Sequence, residues 1–438
     1  MTENILLVHW HDLGRAVSCY GESNVATPTL DRLAGTGLRF TNAHASSAQC
    51  SPARSSLFTG QYPHTNGMNG LVHAGHGYVG TPPLLTRSLT AHGYDTALVG
   101  LQHEAIDPAD TGFAFYDTVT NRAGDVADTA VGWLRDRAAS RSDPAAKADR
   151  PFLLTVGMHE PHLPWREEEF GPADGADRLT VPPNLPDTEA VRHQLALYHK
   201  AIAYADAATG RIVDALDETG LGTDTWVVFV TDHGSPLPRA KGTLYARGSG
   251  IALIVRPPAG RDVAPGLRED LFSGVDLMPT LLDLVGAPVP DEVEGVSQAA
   301  MWTGDGPGVR AEVFTERTYH NTFDPIRCVR TLEHSYLVNL ADRDHYEVPK
   351  DVGLAFPGVA FPPGPRPPIE LYDLARDPEE RHNLIDDPAY AEVRDDLAER
   401  LARWREATAD DHIPTETEAA AMKGREPQWG LKIRSDRR

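Results

Sequence analysis

The chain has 438 residues, 41% of them hydrophobic, enough to bury a large core and to fill one big domain plus a smaller one, which excludes a fibrous or disordered chain. Its 63 Asp+Glu against 41 Lys+Arg give a formal net charge of -22, a field that repels nucleic acid and anionic membranes, so an anionic substrate must meet a locally positive pocket. No apolar run approaches the roughly 20 residues of a spanning helix, and Cys19, Cys50 and Cys328 are too few for a disulfide framework or a cysteine-rich zinc site, so a soluble, cytoplasmic protein without nucleic-acid or membrane partners is expected.

In chain order, residues 4–9 form the first apolar run, preceded by neither a basic region nor a small-residue cleavage site. Thr27 followed by Pro28 predicts a helix start, with Thr27 as N-cap and Leu30, Leu33 and Ala34 facing inward. A strand is predicted at 38–42, a helix running from Pro52 through Phe58, and strands at 96–100 and 152–158. A longer helix begins near Asp187 and spaces Tyr198, Ile202, Ala205, Ile212, Val213 and Leu216 along one face. Strands follow at 226–231 and 251–255, then a helix over 276–285 that stops at Gly286.

Such alternation predicts an α/β fold, a large mainly parallel sheet sandwiched by helices. The Gly-rich break at 303–307 precedes short strands at 313–315, 326–330 and 336–340, so the catalytic domain is expected over 1–305 and a smaller α+β domain over 306–438. Within the latter, 356–368 reads as a Pro/Gly loop and 391–404 as a closing helix. The residues from about 409 form a charged tail.

In open α/β sheets, reactive groups gather beyond the carboxyl ends of the strands. After the first strand come His11 and Asp12; after the second, Cys50 and Arg54; after the third, His103; after the fourth, His159 and His162; after the fifth, Asp232 and His233. Ionisable groups are seldom buried without a partner or a metal, so this distribution points to a reaction centre rather than to packing. Taken singly, Arg54 also fits a helix-surface cation, Lys241 a solvated loop lysine, and His103 and His162 hydrogen-bonded structural histidines.

Cys50-Ser51-Pro52-Ala53-Arg54 matches C-x-P-x-R, the signature at which sulfatases convert cysteine to formylglycine. With three cysteines, 35 prolines and 41 Lys+Arg in 438 positions, roughly 0.02 accidental matches are expected. Pro52 suits a first helical turn, which places residue 50 at the positive helix end where an oxyanion is stabilised.

Residues 5–14, 59–64, His159-Glu160-Pro161-His162, Thr231-Asp232-His233-Gly234 and the lysine-bearing loop Lys241-Gly242-Thr243-Leu244-Tyr245 extend the match. The chain therefore resembles the type I sulfatases of the alkaline phosphatase superfamily, most of all their N-sulfoglucosamine sulfohydrolase branch. The resemblance implies hydrolysis of a sulfate ester or sulfamate on a small anionic, sulfated carbohydrate. Residue 50 would be 3-oxoalanine (formylglycine), made by a formylglycine-generating enzyme; one hydroxyl of its hydrate attacks sulfur and the other expels sulfate. It further implies one divalent cation, calcium in the family, held by His11, Asp12, residue 50, Asp232 and His233. By the same resemblance Arg54 holds the diol or sulfate charge, His103 orients the diol, Lys241 binds sulfate and His159 protonates the leaving group. His162, Arg239, Arg247 and His320 are candidates for substrate binding, with His73 among the variable-loop residues.

Three positions depart from the family pattern. His11 stands where a second aspartate is usual and His233 where asparagine is usual, so manganese or another transition metal competes with calcium for the site. The Asp-His turn also resembles phosphonate monoester hydrolases, which leaves a phosphonate monoester or phosphodiester hydrolase as the second reading. A catalytically silent binder of sulfated glycans is the third. Leu101 replaces a family lysine; either Arg239, Arg247 or another cation compensates, or the leaving-group geometry differs.

Overall fold

The computed structural model describes residues 3–141, 150–343, 345–359 and 365–410, together with Thr417 and residues 435–436. Strand β1 (Asn4–Trp10) is buried along its whole length. Alternate residues enter opposite cores, Leu6, Val8 and Trp10 on one side of the sheet and Ile5 and Leu7 on the other. That two-sided burial is why it reads as a continuous apolar run rather than an alternating one. Parallel partners flank it, β5 (Phe152–Gly157) and β6 (Thr225–Thr231).

Beyond β5 lie β3 (Asp95–Gly100) and β4 (Phe115–Asp117), both parallel to it. Beyond β6 lie β7 (Leu253–Arg256), β2 (Leu38–His44) and β8 (Gly266–Ser273). β7 is antiparallel to both its neighbours, so among these eight strands it alone runs against the rest. A short pairing of residues 435–436 closes the edge at β4.

One face of the sheet is covered by α4 (Ala123–Arg141) and α5 (Glu189–Glu218), the other by α2 (Cys50–Thr59), α3 (Leu85–Ala91) and α6 (Leu277–Leu284). The long helix α5 buries all six of the residues expected on its inner face. Its start is two residues later than expected, where the Thr188 side chain accepts from the Val191 N–H.

The first helix, α1 (Pro28–Thr36), begins as expected, with Thr27 in the N-cap position and Pro28 first. Thr27 makes no side-chain cap, because its hydroxyl is engaged with Ser18; the free N–H groups of Thr29 and Leu30 instead donate to the carboxylate of Asp206 on α5, each at 3.0 Å. The cap comes from another helix.

A second, antiparallel sheet contains β9 (Val313–Tyr319), β10 (Phe323–Arg330), β11 (His334–Asn339) and β12 (Ile369–Asp373) in the order β12-β11-β10-β9. Each of the three strands expected here is present; β9 and β10 are longer than expected. A short helix, α7 (Lys350–Ala355), precedes the Pro/Gly loop, of which residues 360–364 lie outside the described residues. Helix α8 (Ala391–Ala407) packs Leu397, Leu401 and Trp404 on this sheet. Most of the charged tail lies outside the described residues, but Asp410 is buried and paired with Arg327 at 2.6 Å. Among the described residues, no helix is long and apolar enough to cross a membrane.

Candidate active site

The turns after β1 and β6 lie side by side because those strands are neighbours in register, Trp10 beside Thr231. The Asp12 N–H donates to Asp232 Oδ1 at 2.9 Å, which fixes the two carboxylates relative to each other. Asp12 has a φ of 56°, a left-handed conformation unusual outside glycine, which costs energy and directs its side chain into the cluster. The ligand atoms of His11, Asp12, Cys50, Asp232 and His233 all lie within 4.8 Å of one another, and all five residues are buried.

Helix α2 brings Cys50 in at its first turn, with Gln49 as the N-cap and Gly60 closing the other end in the left-handed region. The Cys50 Sγ is 3.4 Å from His233 Nε2 and 3.8 Å from Asp12 Oδ1. Burial raises the pKa of this thiol, so as an unmodified cysteine it is a poor nucleophile. Arg54, one turn further on, is wholly buried and is no surface cation. Its Nε donates to Asp232 Oδ2 at 3.1 Å, a second nitrogen meets His9 Nδ1 at 2.6 Å, and a third donates to the Trp10 carbonyl at 3.4 Å.

The donor set fits a divalent ion. Two buried carboxylates sit together, and Asp232 is held down to about 2 against its own burial by His233, His11 and Arg54. His233 Nδ1 is 3.0 Å from the Gly234 carbonyl, an orienting bond that leaves Nε2 turned to Asp12 Oδ1 at 3.0 Å. His11 presents Nδ1 to Asp12 Oδ1 at 2.9 Å and to Asp232 Oδ2 at 3.4 Å. Two oxygen and two nitrogen donors thus converge.

Lys241 is only 2% exposed, and its ammonium meets Asp12 Oδ2 at 2.6 Å, Asp351 Oδ2 at 2.7 Å and His162 Nε2 at 3.3 Å. It is not a solvated loop residue. His162 is no bystander either, lying 3.5 Å from Asp12 Oδ2 and packing edge-on to the His11 ring. The His103 ring stacks on His73, with its Nε2 3.0 Å from His73 Nδ1, while its buried Nδ1 has no hydrogen-bond partner among the described residues. The His159 ring lies beside His11 and His162. Burial and the neighbouring His162 pull its pKa down to about 3, so without a bound anion it is neutral. His320 is buried; its Nδ1 also lacks a hydrogen-bond partner among the described residues and would be 3.5 Å from a Cβ placed on Gly242.

Arg239 and Arg247 are engaged with partners outside this cluster, which favours another cation or a different leaving-group geometry as the answer to the missing lysine. Arg239 donates to the Glu380 carbonyl and lies 4.8 Å from the Tyr245 ring centroid, while Arg247 makes a bidentate pair with Glu379, both contacts at 2.6 Å. They clamp the Lys241 loop to the second unit. Leu101 itself is buried, with its N–H donating to Gly157 O at 2.8 Å.

Sequence reasoning missed His9 and Asp351. A histidine directly before a strand end was a signal for the first. Asp351 had none, because it reaches Lys241 across 110 residues.

A family model described as Sulfatase matches residues 3–287. N-sulphoglucosamine sulphohydrolase of Homo sapiens is 30% identical over 467 residues, covering 94% of this chain and 91% of that protein. Arylsulfatase A of Homo sapiens is 27% identical over 448 residues, covering 87% of this chain and 83% of that one. The solved structure of a protein in complex with its substrate D-glucosamine-2-N,6-O-disulfate shares the fold, with a TM-score of 0.72 at 18% identity over 94% of this chain and 99% of that chain.

Proposed function

This chain belongs to the sulfatase family and is a hydrolase of sulfate esters or sulfamates; we propose that its substrate is a sulfated sugar, attacked by residue 50 as formylglycine beside one divalent ion. The observation that carries the reading is the convergence of Cys50, at the start of α2, with the four donors His11, Asp12, Asp232 and His233. Neither the phosphonate or phosphodiester hydrolase nor the silent glycan binder is favoured, since the matching family model is Sulfatase and the two human relatives are a sulphohydrolase and an arylsulfatase. A sugar is supported by the name of the human sulphohydrolase.

The ion would be held by His11, Asp12, Asp232 and His233, where it lowers the pKa of an oxygen nucleophile and polarises the sulfate group. The two imidazoles favour manganese, iron or zinc over calcium. Hydrated formylglycine would supply two hydroxyls on one carbon: one would attack sulfur, and loss of the proton from the other would re-form the aldehyde and break the C–O bond to sulfate.

The chain's own side chains perform the remaining tasks. Arg54 would hold the charge of the diol or the sulfate and Lys241 would bind sulfate, since both are buried cations directed into the cluster. His103 would orient the nucleophile through Nδ1, which has no hydrogen-bond partner among the described residues. His159 is the proton donor: an anion bound beside it raises its depressed pKa, so that it carries a proton when the leaving oxygen or nitrogen needs one. Cys50 is 2% exposed, so the modifying enzyme must reach it before the chain folds. A cytoplasmic location completes the proposal, and cell fractionation checks it.

Mass spectrometry of the residue-50 peptide tests the nucleophile. The modified fraction should rise in step with specific activity across preparations, and Cys50→Ser should trap sulfate or turn over very slowly. Full activity with unmodified Cys50 would refute the reading.

A further inference from the structure

A lysine ammonium has three hydrogens, and those of Lys241 face three partners, Asp12 Oδ2, Asp351 Oδ2 and His162 Nε2. No N–H is left for a sulfate oxygen. For Lys241 to take an anionic substrate, one partner must withdraw.

Asp12 is fixed, with a side chain wholly removed from solvent and its other oxygen turned to His11 and His233. His162 is tethered through Nδ1, 2.5 Å from the Leu163 carbonyl. Asp351 is the mobile choice, because its side chain is 29% exposed. Its backbone is nonetheless anchored: Val352, one residue on, and Phe356, just past α7, are buried in the main core, and Pro349 lies against Gly242. The carboxylate can therefore swing while the helix stays.

Charge selects the same residue. Exchanging one anion for another leaves the ammonium's surroundings balanced. Adding sulfate with Asp351 in place would press two like charges against one lysine.

We propose that Asp351 is a positioning residue that acts as a resident anion, holding Lys241 in place and yielding that place to the sulfate group of the substrate. It thereby sets the affinity of the site for anions. This rests on the reading of Lys241 as the sulfate-binding group.

Titration calorimetry of inorganic sulfate into the metal-loaded protein tests it, with kcat and KM for an aryl sulfate measured in parallel. Asp351→Asn keeps the shape and removes the charge. Its sulfate Kd should fall roughly tenfold, KM should fall with it, and kcat should not rise, because Lys241 is less firmly placed. Asp351→Glu should return Kd towards that of the unaltered protein. If Asp351→Asn unfolds, Asp351→Ser serves in its place, with thermal unfolding as the control. Sulfate binding that is lost in Lys241→Ala but unchanged or weakened in Asp351→Asn overturns the exchange and leaves the sulfatase reading intact. No sulfate binding and no aryl sulfate turnover by the unaltered protein overturns both.

Discussion

Arg54 makes its three contacts through one rigid planar fork, to Asp232, His9 and the Trp10 carbonyl. Lysine has a single charged atom on a flexible stem and cannot span them. Arg54→Lys, although it keeps the charge, should lower kcat by about 100-fold or more and reduce the melting temperature; steady-state kinetics and thermal unfolding check both. Near-normal turnover would reduce Arg54 to a counter-ion for Asp232. The metal reading makes its own prediction at this scale. Chelation should lower the melting temperature of the unaltered protein and abolish activity, because an ion bound only to the folded state stabilises it. Asp232→Ala should be inactive and insensitive to chelator. A chelator effect of equal size in both proteins would place the ion elsewhere.

Helix α1 depends on a neighbour. Asp206 of α5 closes two of its free N–H groups from a buried position, so the two helices are coupled through one carboxylate. Asp206→Ala leaves both donors without a partner and should cost about 2 kcal/mol of stability. Asp206→Asn, which keeps one acceptor, should cost less; equilibrium unfolding in urea measures both. A loss in the alanine variant no larger than in Thr27→Ala would return the cap to Thr27. The strands behaved differently from this cap. The apolar runs of β1, β5 and β6 were legible because burial on both faces removes polar residues along the whole run, whereas β4 and the charged, half-exposed β8 were not, and β7 gives no sign in its own residues of running antiparallel.

Across the whole molecule, the two sheets are joined at the site. His64, just after α2, donates its backbone N–H to Glu316 Oε1 of β9 at 2.8 Å, sets its ring Nδ1 2.5 Å from the other carboxylate oxygen, and turns Nε2 to the Thr408 carbonyl at the end of α8. Burial pulls the His64 pKa down, but the charge and hydrogen bond of Glu316 together with Asp410 turn the net shift upward. A histidine whose folded pKa lies above its unfolded value contributes stability that is fully present below about pH 6.5 and is lost as pH rises through the folded value. The stability gap between the unaltered protein and His64→Gln should therefore be largest near pH 5.5 and shrink towards pH 8.5, as unfolding across that range will show. A gap that widened with pH would mean that the ring works as a neutral donor. Lys241 is the other junction, clamped by Arg239 and Arg247 to Glu380 and Glu379 and met by Asp351 from α7.

The Cys50 signature, the Asp12 and Asp232 turns, the Lys241 loop and the sheet that carries them were readable from the chain alone. Each is a contiguous stretch whose chemistry is set by neighbours a few residues away and by the burial of the strand before it. Tertiary structure alone decided that Arg54 rests on His9, that Asp351 rather than a free anion sits at Lys241, that Arg239 and Arg247 are clamps, and that Asp206 caps α1. Those pairs span 45, 110, 141, 132 and 177 residues. At such separations, partnership follows from which strand ends and helices the fold brings together, and no local pattern of residues encodes it.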